Sequence, residues 1–175
     1  VDVSRDQGAT REALEALRQT VQRYPGTEQA RAAQLKLDLT RDHLAGKEMT
    51  IGRYYLKRAH YVAAINRFRT VIEQYQTTSQ TPEALYRLAE SLFRLQNYYG
   101  ARTYFGQVLD NAGRPGFDAY AQGALGRLIE IAIHLERHDR PEDHAVQTAA
   151  VLNKIDPHII RLRTLGLRPG IPLHE

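Results

Sequence analysis

The chain has 175 residues, 42% of them hydrophobic and 25% charged, with 12 Gly and 7 Pro: enough apolar material for one folded domain or a short repeat array, not a disordered chain. A formal charge of +4 and a pI near 9.4 suit an acidic protein surface, anionic headgroups or nucleic acid equally, so charge selects no partner. With no Cys there is no disulfide framework, thiolate metal site or thiol nucleophile, although the redox compartment stays open.

The chain opens "VDVSRDQGAT", with neither an initiator Met nor the basic-then-apolar start of a signal peptide. It reads as a processed or trimmed product whose targeting information lies upstream. No apolar run that follows approaches the roughly 18 residues of a membrane span. Apolar and small residues recur at helical spacing, and no stretch alternates as a half-buried strand would. "REALEALRQTVQRYPGT" reads as the second helix of an early unit, with Ala13 small, Leu17 large and Pro25 closing it. A helix over Glu28–Leu44 follows, then one over about Lys47–Arg58 carrying Gly52 and Tyr55. After "AHY", another carries Ala64, Phe68, Val71 and Ile72. In "TPEALYRLAESLFRLQ", Thr81 has N-cap chemistry, Pro82 suits the first helical position and Glu83 suits the positive end of the dipole. Leu85, Leu88, Ala89 and Leu92 form its stripe, and the spacing predicts Glu83–Arg87 and Glu90–Arg94 pairs on the wet face. A break at Asn97 leads to "YYGARTYFGQVLDN", which stops before Gly113-Arg114-Pro115-Gly116. Phe117–Arg137 carries a stripe of Ala121, Ala124, Leu125, Leu128 and Ala132, with a partner helix at roughly Glu142–Lys154. The tail, with Gly166, Pro169, Gly170 and Pro172, cannot continue a helix and is extended or disordered.

A shift of 37 residues lays one helical pair on the next: Gly52 on Ala89, Tyr55 on Leu92, Tyr61 on Tyr98, Ala64 on Ala101, Phe68 on Phe105, Val71 on Val108 and Ile72 on Leu109. Small falls on small and large on large, as paired helices need where backbones touch. The pattern resembles the tetratricopeptide repeat, a helix-turn-helix unit of about 34 residues. The expected fold is all-α, a right-handed stack of antiparallel helix pairs. Residues 1–155 would form a single helical repeat domain, with units at about 10–44, 47–76, 82–111 and 117–154 and a tail at 156–175. A non-repeat helical bundle is the competing architecture.

Particular letters narrow the resemblance. They are Tyr24-Pro25-Gly26-Thr27, Arg41-Asp42 with Leu44-Ala45, Tyr54-Tyr55 with Arg58, Tyr61 and Ala63, Asn66-Arg67, and Tyr75 with Thr78. This series resembles the family of the outer-membrane protein assembly factor BamD of Gram-negative bacteria, over about residues 10–100 and in that family's C-terminal half. Beyond about Asn111 the similarity fades. The resemblance implies a periplasmic scaffold subunit of the machine that assembles β-barrels, attached to the inner face of the outer membrane by a lipid on a Cys that this chain lacks. It implies docking of the barrel-forming subunit through its POTRA domains, contact with other assembly lipoproteins, no cofactor and no nucleic acid.

Arg67 is the leading candidate contact, beside the Ala64–Phe68–Ile72 stripe and within the Asn66-Arg67 pair, where a planar donor fork suits an acidic surface. Arg53, Tyr54, Lys57 and Arg58 with Tyr61 make a basic-aromatic patch of the kind enriched at interface centres. For each, the alternative is a solvated side chain or one paired within the fold. His134 and His138 lie four apart in "HLERH" with His144 nearby, but Leu135 stands where a zinc-protease helix has Glu. Surface histidines are the simpler reading, and no nucleophile–base pair or phosphate-cradling loop indicates an enzyme. The alternative function is another repeat adaptor of the cell envelope, linked for instance to peptidoglycan or motility; nucleic-acid binding rests on the pI alone.

Overall fold

The computed structural model describes residues 6–138, which form six helices and, among those residues, no strand. Two compact units part between Lys47 and Glu48. The first holds α1 (Asp6–Arg23) and the opening of α2 (Glu28–Lys57); the second holds the end of α2, α3 (Tyr61–Gln74), α4 (Thr81–Arg94), α5 (Tyr98–Asp110) and α6 (Asp118–His138). The expected helix at Glu142–Lys154 and the tail at 156–175 lie outside the described residues.

In the first unit, Thr27 closes the turn after α1 and caps α2. Its N–H and Oγ1 both donate to the Tyr24 carbonyl, at 3.3 and 2.7 Å, and Oγ1 accepts from Ala30 N–H at 3.2 Å. Ala30, Ala33 and Leu37, three and four apart, form the buried stripe that follows. The seam expected in α1 is not closed: Ala13 is exposed and Leu17 half-buried.

Where two helices were expected, over Glu28–Leu44 and about Lys47–Arg58, α2 runs unbroken for 30 residues. Gly46 weakens the helix locally, by about 1 kcal/mol relative to Ala. It does not break it, because Ala45 and Met49 on either side are fully buried. Tertiary packing outweighs the local propensity.

In the second unit α3 packs on α4, α4 on α5 and α5 on α6, with α4 also touching α6. Phe68 and Phe105 are fully buried, as are Ala64, Ala89 and Ala101. The stripe of α6 is Ala121, Ala124, Leu125, Leu128 and Ile131; Ala132, expected in it, is only partly covered. Gly52 is a packing requirement: a Cβ there would stand 2.5 Å from the Phe68 ring. One repeat later Ala89 and Phe105 share the core.

The 37-residue relation reaches the backbone of the turns. Ala59 and Gln96 both adopt left-handed conformations, at φ 60° and 59°. Ala59 N–H donates to the Leu56 carbonyl and His60 N–H to that of Tyr55; Gln96 and Asn97 make the same bonds to Phe93 and Leu92, all between 2.9 and 3.0 Å. This is the Schellman-type helix ending, built here without glycine. A tetratricopeptide-like stack of helix pairs is therefore the architecture of this unit.

Two local expectations fail. The cap of α4 is Gln80, so Thr81 is its first helical residue and Pro82 its second. Thr81 Oγ1 turns back to donate to the carbonyls of Tyr75 and Gln76, at 3.0 and 3.1 Å. Thr78 Oγ1 also bonds Tyr75, at 2.7 Å, as Thr27 does in its own turn. The preceding loop supplies better acceptors for Thr81 than the helix offers donors. The second failure, the Glu90–Arg94 pair of α4, belongs with the surface described next.

Candidate protein interface

Four of the six candidate residues lie on the last turns of α2 and two on α3. On α2, Arg53 and Lys57 are four apart, as are Tyr54 and Arg58, and Tyr54 and Lys57 are three apart, so their side chains line adjoining strips of the helix surface. Arg53 and Lys57 face a groove toward α4, together with Leu56, Tyr61, Arg87 and Arg94. Tyr54 and Arg58 pair with each other, the guanidinium carbon 4.4 Å from the ring centroid. The Tyr54 ring also meets Tyr55 edge-on, at 5.6 Å, and remains half exposed.

On α3, Arg67 reaches Glu48 of α2, Nη1 to Oε2 at 3.1 Å. Pairing within the fold is therefore its resting state, yet 44% of the Arg67 side chain stays exposed against 19% of Glu48. One N–H of a five-donor fork is engaged in that bond, leaving the outer edge open to an acceptor. Asn66, also exposed, lines a different hollow of about 680 Å³ with Tyr55, His60, Val62 and Leu95.

The wall of the first groove is an ion-pair network in which the expected Glu83–Arg87 pair forms and the expected Glu90–Arg94 pair does not. Glu90 pairs with Arg87 at 2.9 Å rather than with Arg94, and Glu83 takes both Arg87, at 3.4 Å, and Arg53 of α2, at 2.9 Å. Neither carboxylate is on the wet face, with 18% of the Glu83 side chain and 16% of that of Glu90 exposed. Burial works against the Arg87 charge, but hydrogen bonds to Glu90 and Glu83 outweigh it and raise its pKa. Glu83 also bonds the Tyr120 hydroxyl of α6, whose pKa is raised by burial and then by that carboxylate. One carboxylate thus ties α2, α4 and α6 together. The i,i+4 spacing alone could not reveal this, because Arg53 lies 30 residues from Glu83.

His134 lies against the Tyr98 ring, with centroids 4.1 Å apart. His144 falls outside the described residues. Among the described residues no group of His, Asp and Glu is arranged to hold a metal ion, and no helix is long and apolar enough to cross a membrane.

The family described as YfiO, outer membrane lipoprotein, matches residues 1–104. The chain belongs to the YfiO family. The YfiO match runs from before α1 into α5 and takes in all six candidate residues. Among relatives, the chain is 47% identical over 147 residues to the outer membrane protein assembly factor BamD of Caulobacter vibrioides, covering 74% of this chain and 48% of that protein. It is 48% identical over 103 residues to BamD of Rickettsia prowazekii, with coverage of 59% and 41%. For BamD of Neisseria gonorrhoeae the figures are 42% over 81 residues, with 46% and 30% covered. The chain spans half or less of the length of these curated relatives.

Proposed function

We propose that this chain is a protein-binding scaffold in the assembly of outer membrane proteins, acting on the periplasmic side of that membrane. The observation that carries the reading is the 47% identity to an assembly factor across 147 residues that include the α2–α3 surface. In this reading the α3 face docks the barrel-forming subunit through its POTRA domains. Arg67 is the central contact: an acidic group of the partner shares or displaces Glu48, so docking exchanges one carboxylate for another around a guanidinium already held in place. Tyr54 stacked on Arg58 offers a further amphipathic contact on α2.

Calorimetric titration of the folded chain with purified POTRA domains tests the reading. Micromolar binding is expected, with a loss of at least about tenfold in Arg67→Glu. Glu48→Gln should bind as well as the native chain or better, because it releases the fork. Absence of binding at about 50 μM, a concentration that reveals even weak specific complexes, with the helical circular dichroism intact, overturns the docking role.

A further inference from the structure

The turns from α2 to α3 and from α4 to α5 lie side by side at one edge of the second unit. Leu95 of the later turn shares a hollow with His60 and Val62 of the earlier one, and Arg94 shares a groove with Lys57. Neither residues 53–72 nor residues 91–109, the stretches that enter and leave these turns, contain an Asp or Glu. Glu73, Glu83, Asp110 and Asp118 all stand at the other ends of the helices, around the turns from α3 to α4 and from α5 to α6. Lys57, Arg58 and Arg94 are exposed, and among the described residues no carboxylate pairs with them. Apolar exposure is sorted in the same way. Tyr54 and Ile133 stand in the last two turns of helices that arrive at this edge, Leu95 in a turn, and Val62 and Tyr99 in the first turn of helices that leave it. These are all the exposed large apolar side chains among the described residues of the second unit.

We infer that this edge binds the surface of a phospholipid bilayer with anionic headgroups, Lys57, Arg58 and Arg94 meeting the phosphates and Val62, Leu95 and Tyr99 entering the interfacial layer. A bilayer interface accepts cationic, aromatic and aliphatic side chains alike, and an anionic one disfavours carboxylates. That is the rule the two turns share. The 37-residue shift puts Leu95 on Arg58 and Tyr99 on Val62, so size and charge change between the copies but no acid enters. A protein partner selects on shape and matched charge, which these exchanges do not keep. A nucleic acid would use the cations but leave Leu95 and Val62, the latter 63% exposed, in water. Arg58 lying over the exposed Tyr54 ring suits an interface as well, because ring and apolar stem can enter together while the charge stays among the headgroups. With three cations and a few part-inserted side chains, the contact is peripheral, reversible and weakened by salt.

The test is flotation of the folded chain with vesicles of phosphatidylcholine carrying about 30% phosphatidylglycerol. Binding is expected, and it should be about tenfold weaker in Lys57→Gln/Arg94→Gln. Arg31→Gln/Lys36→Gln removes two exposed cations of the first unit and should stay within about twofold of the native chain. Val62→Ser/Leu95→Ser leaves the charge unchanged and should lose about threefold or more. The substituted side chains are all exposed, and if one edge variant fails to fold the other carries the test by itself. Absence of binding to the anionic vesicles, or equal binding to phosphatidylcholine alone, overturns the inference. Equal losses in the two charge-neutralised variants, or undiminished binding of Val62→Ser/Leu95→Ser, also overturn it and leave only attraction by overall charge. No POTRA domain is present in these mixtures, so their outcome is independent of the docking role proposed above.

Discussion

The pair made by the end of α2 with α3 and the pair made by α4 with α5 share one backbone plan but use different side chains to hold it. Both turn through a left-handed non-glycine residue and the same two hydrogen bonds, and both bury a phenylalanine against a small residue of the preceding helix. The first pair brings its helices close by leaving out a side chain at Gly52, where the second keeps Ala89. The second starts its second helix with a side-chain cap, Asn97 Oδ1 accepting from Gly100 N–H at 3.0 Å; the first has His60 there and no such bond. The second carries a carboxylate bound to two neighbouring helices at Glu83, where the position one repeat earlier is Gly46. A repeat therefore conserves size class and turn geometry between its copies, while capping and charge differ from copy to copy.

The largest expected asymmetry is at the seam. Gly52→Ala forces a methyl group into the fully buried Phe68 ring and should destabilise the fold by about 1–3 kcal/mol in urea melts. Ala89→Gly should lose about 1–1.5 kcal/mol, from helix propensity and the loss of one buried methyl. Comparable costs for the two changes would mean that the Gly52 contact relaxes easily and that the two seams are equivalent.

Glu83→Ala comes next. It removes the acceptor shared by Arg53, Arg87 and Tyr120, and should cost about 1–2 kcal/mol, moderated by solvent around the part-exposed Arg53. Thermal denaturation at low and high salt checks it: the deficit should shrink as salt screens the native network.

The helix caps sharpen the contrast. Asn97→Ala should cost about 1 kcal/mol, the usual worth of an N-cap side chain. His60→Asn should recover less than about half of that, because the equivalent of Gly100 is Ala63 and a Cβ at Gly100 would lie only 2.9 Å from Asn97 Oδ1. A full gain in His60→Asn would show that Ala63 does not obstruct the cap. Smallest of all, Ala59→Gly and Gln96→Gly should each raise stability by about 0.5–1 kcal/mol, by removing a Cβ from a left-handed residue. Equal gains at both sites would support a common strain in the two turns; a gain at only one would break the equivalence.

The helices were legible because each carries its own pattern. Ala64, Phe68 and Val71, and Ala101, Phe105 and Val108, stand at helical spacing and are buried where that spacing puts them. The ends were less legible. Gly46 looks like a break, but the buried Ala45 and Met49 keep α2 continuous. Thr81 has the right chemistry for a cap, but nearby carbonyls of the preceding loop take its hydroxyl. The candidate interface was legible as a set of residues and not as a surface. Arg53, Tyr54, Lys57, Arg58, Asn66 and Arg67 lie within 15 positions of one another, but the order of letters does not show that Glu83 holds Arg53 and Glu48 holds Arg67.

Periodicity is a one-dimensional property, so the amino-acid order by itself determined the helical class, the repeat length and which residues are small or large at each seam. Which charge meets which is a three-dimensional matter. Glu83 bonding Arg53 across 30 residues, and Glu90 choosing Arg87 over Arg94, depend on how neighbouring helices are brought together, and Coulomb attraction acts on distance in space rather than along the chain.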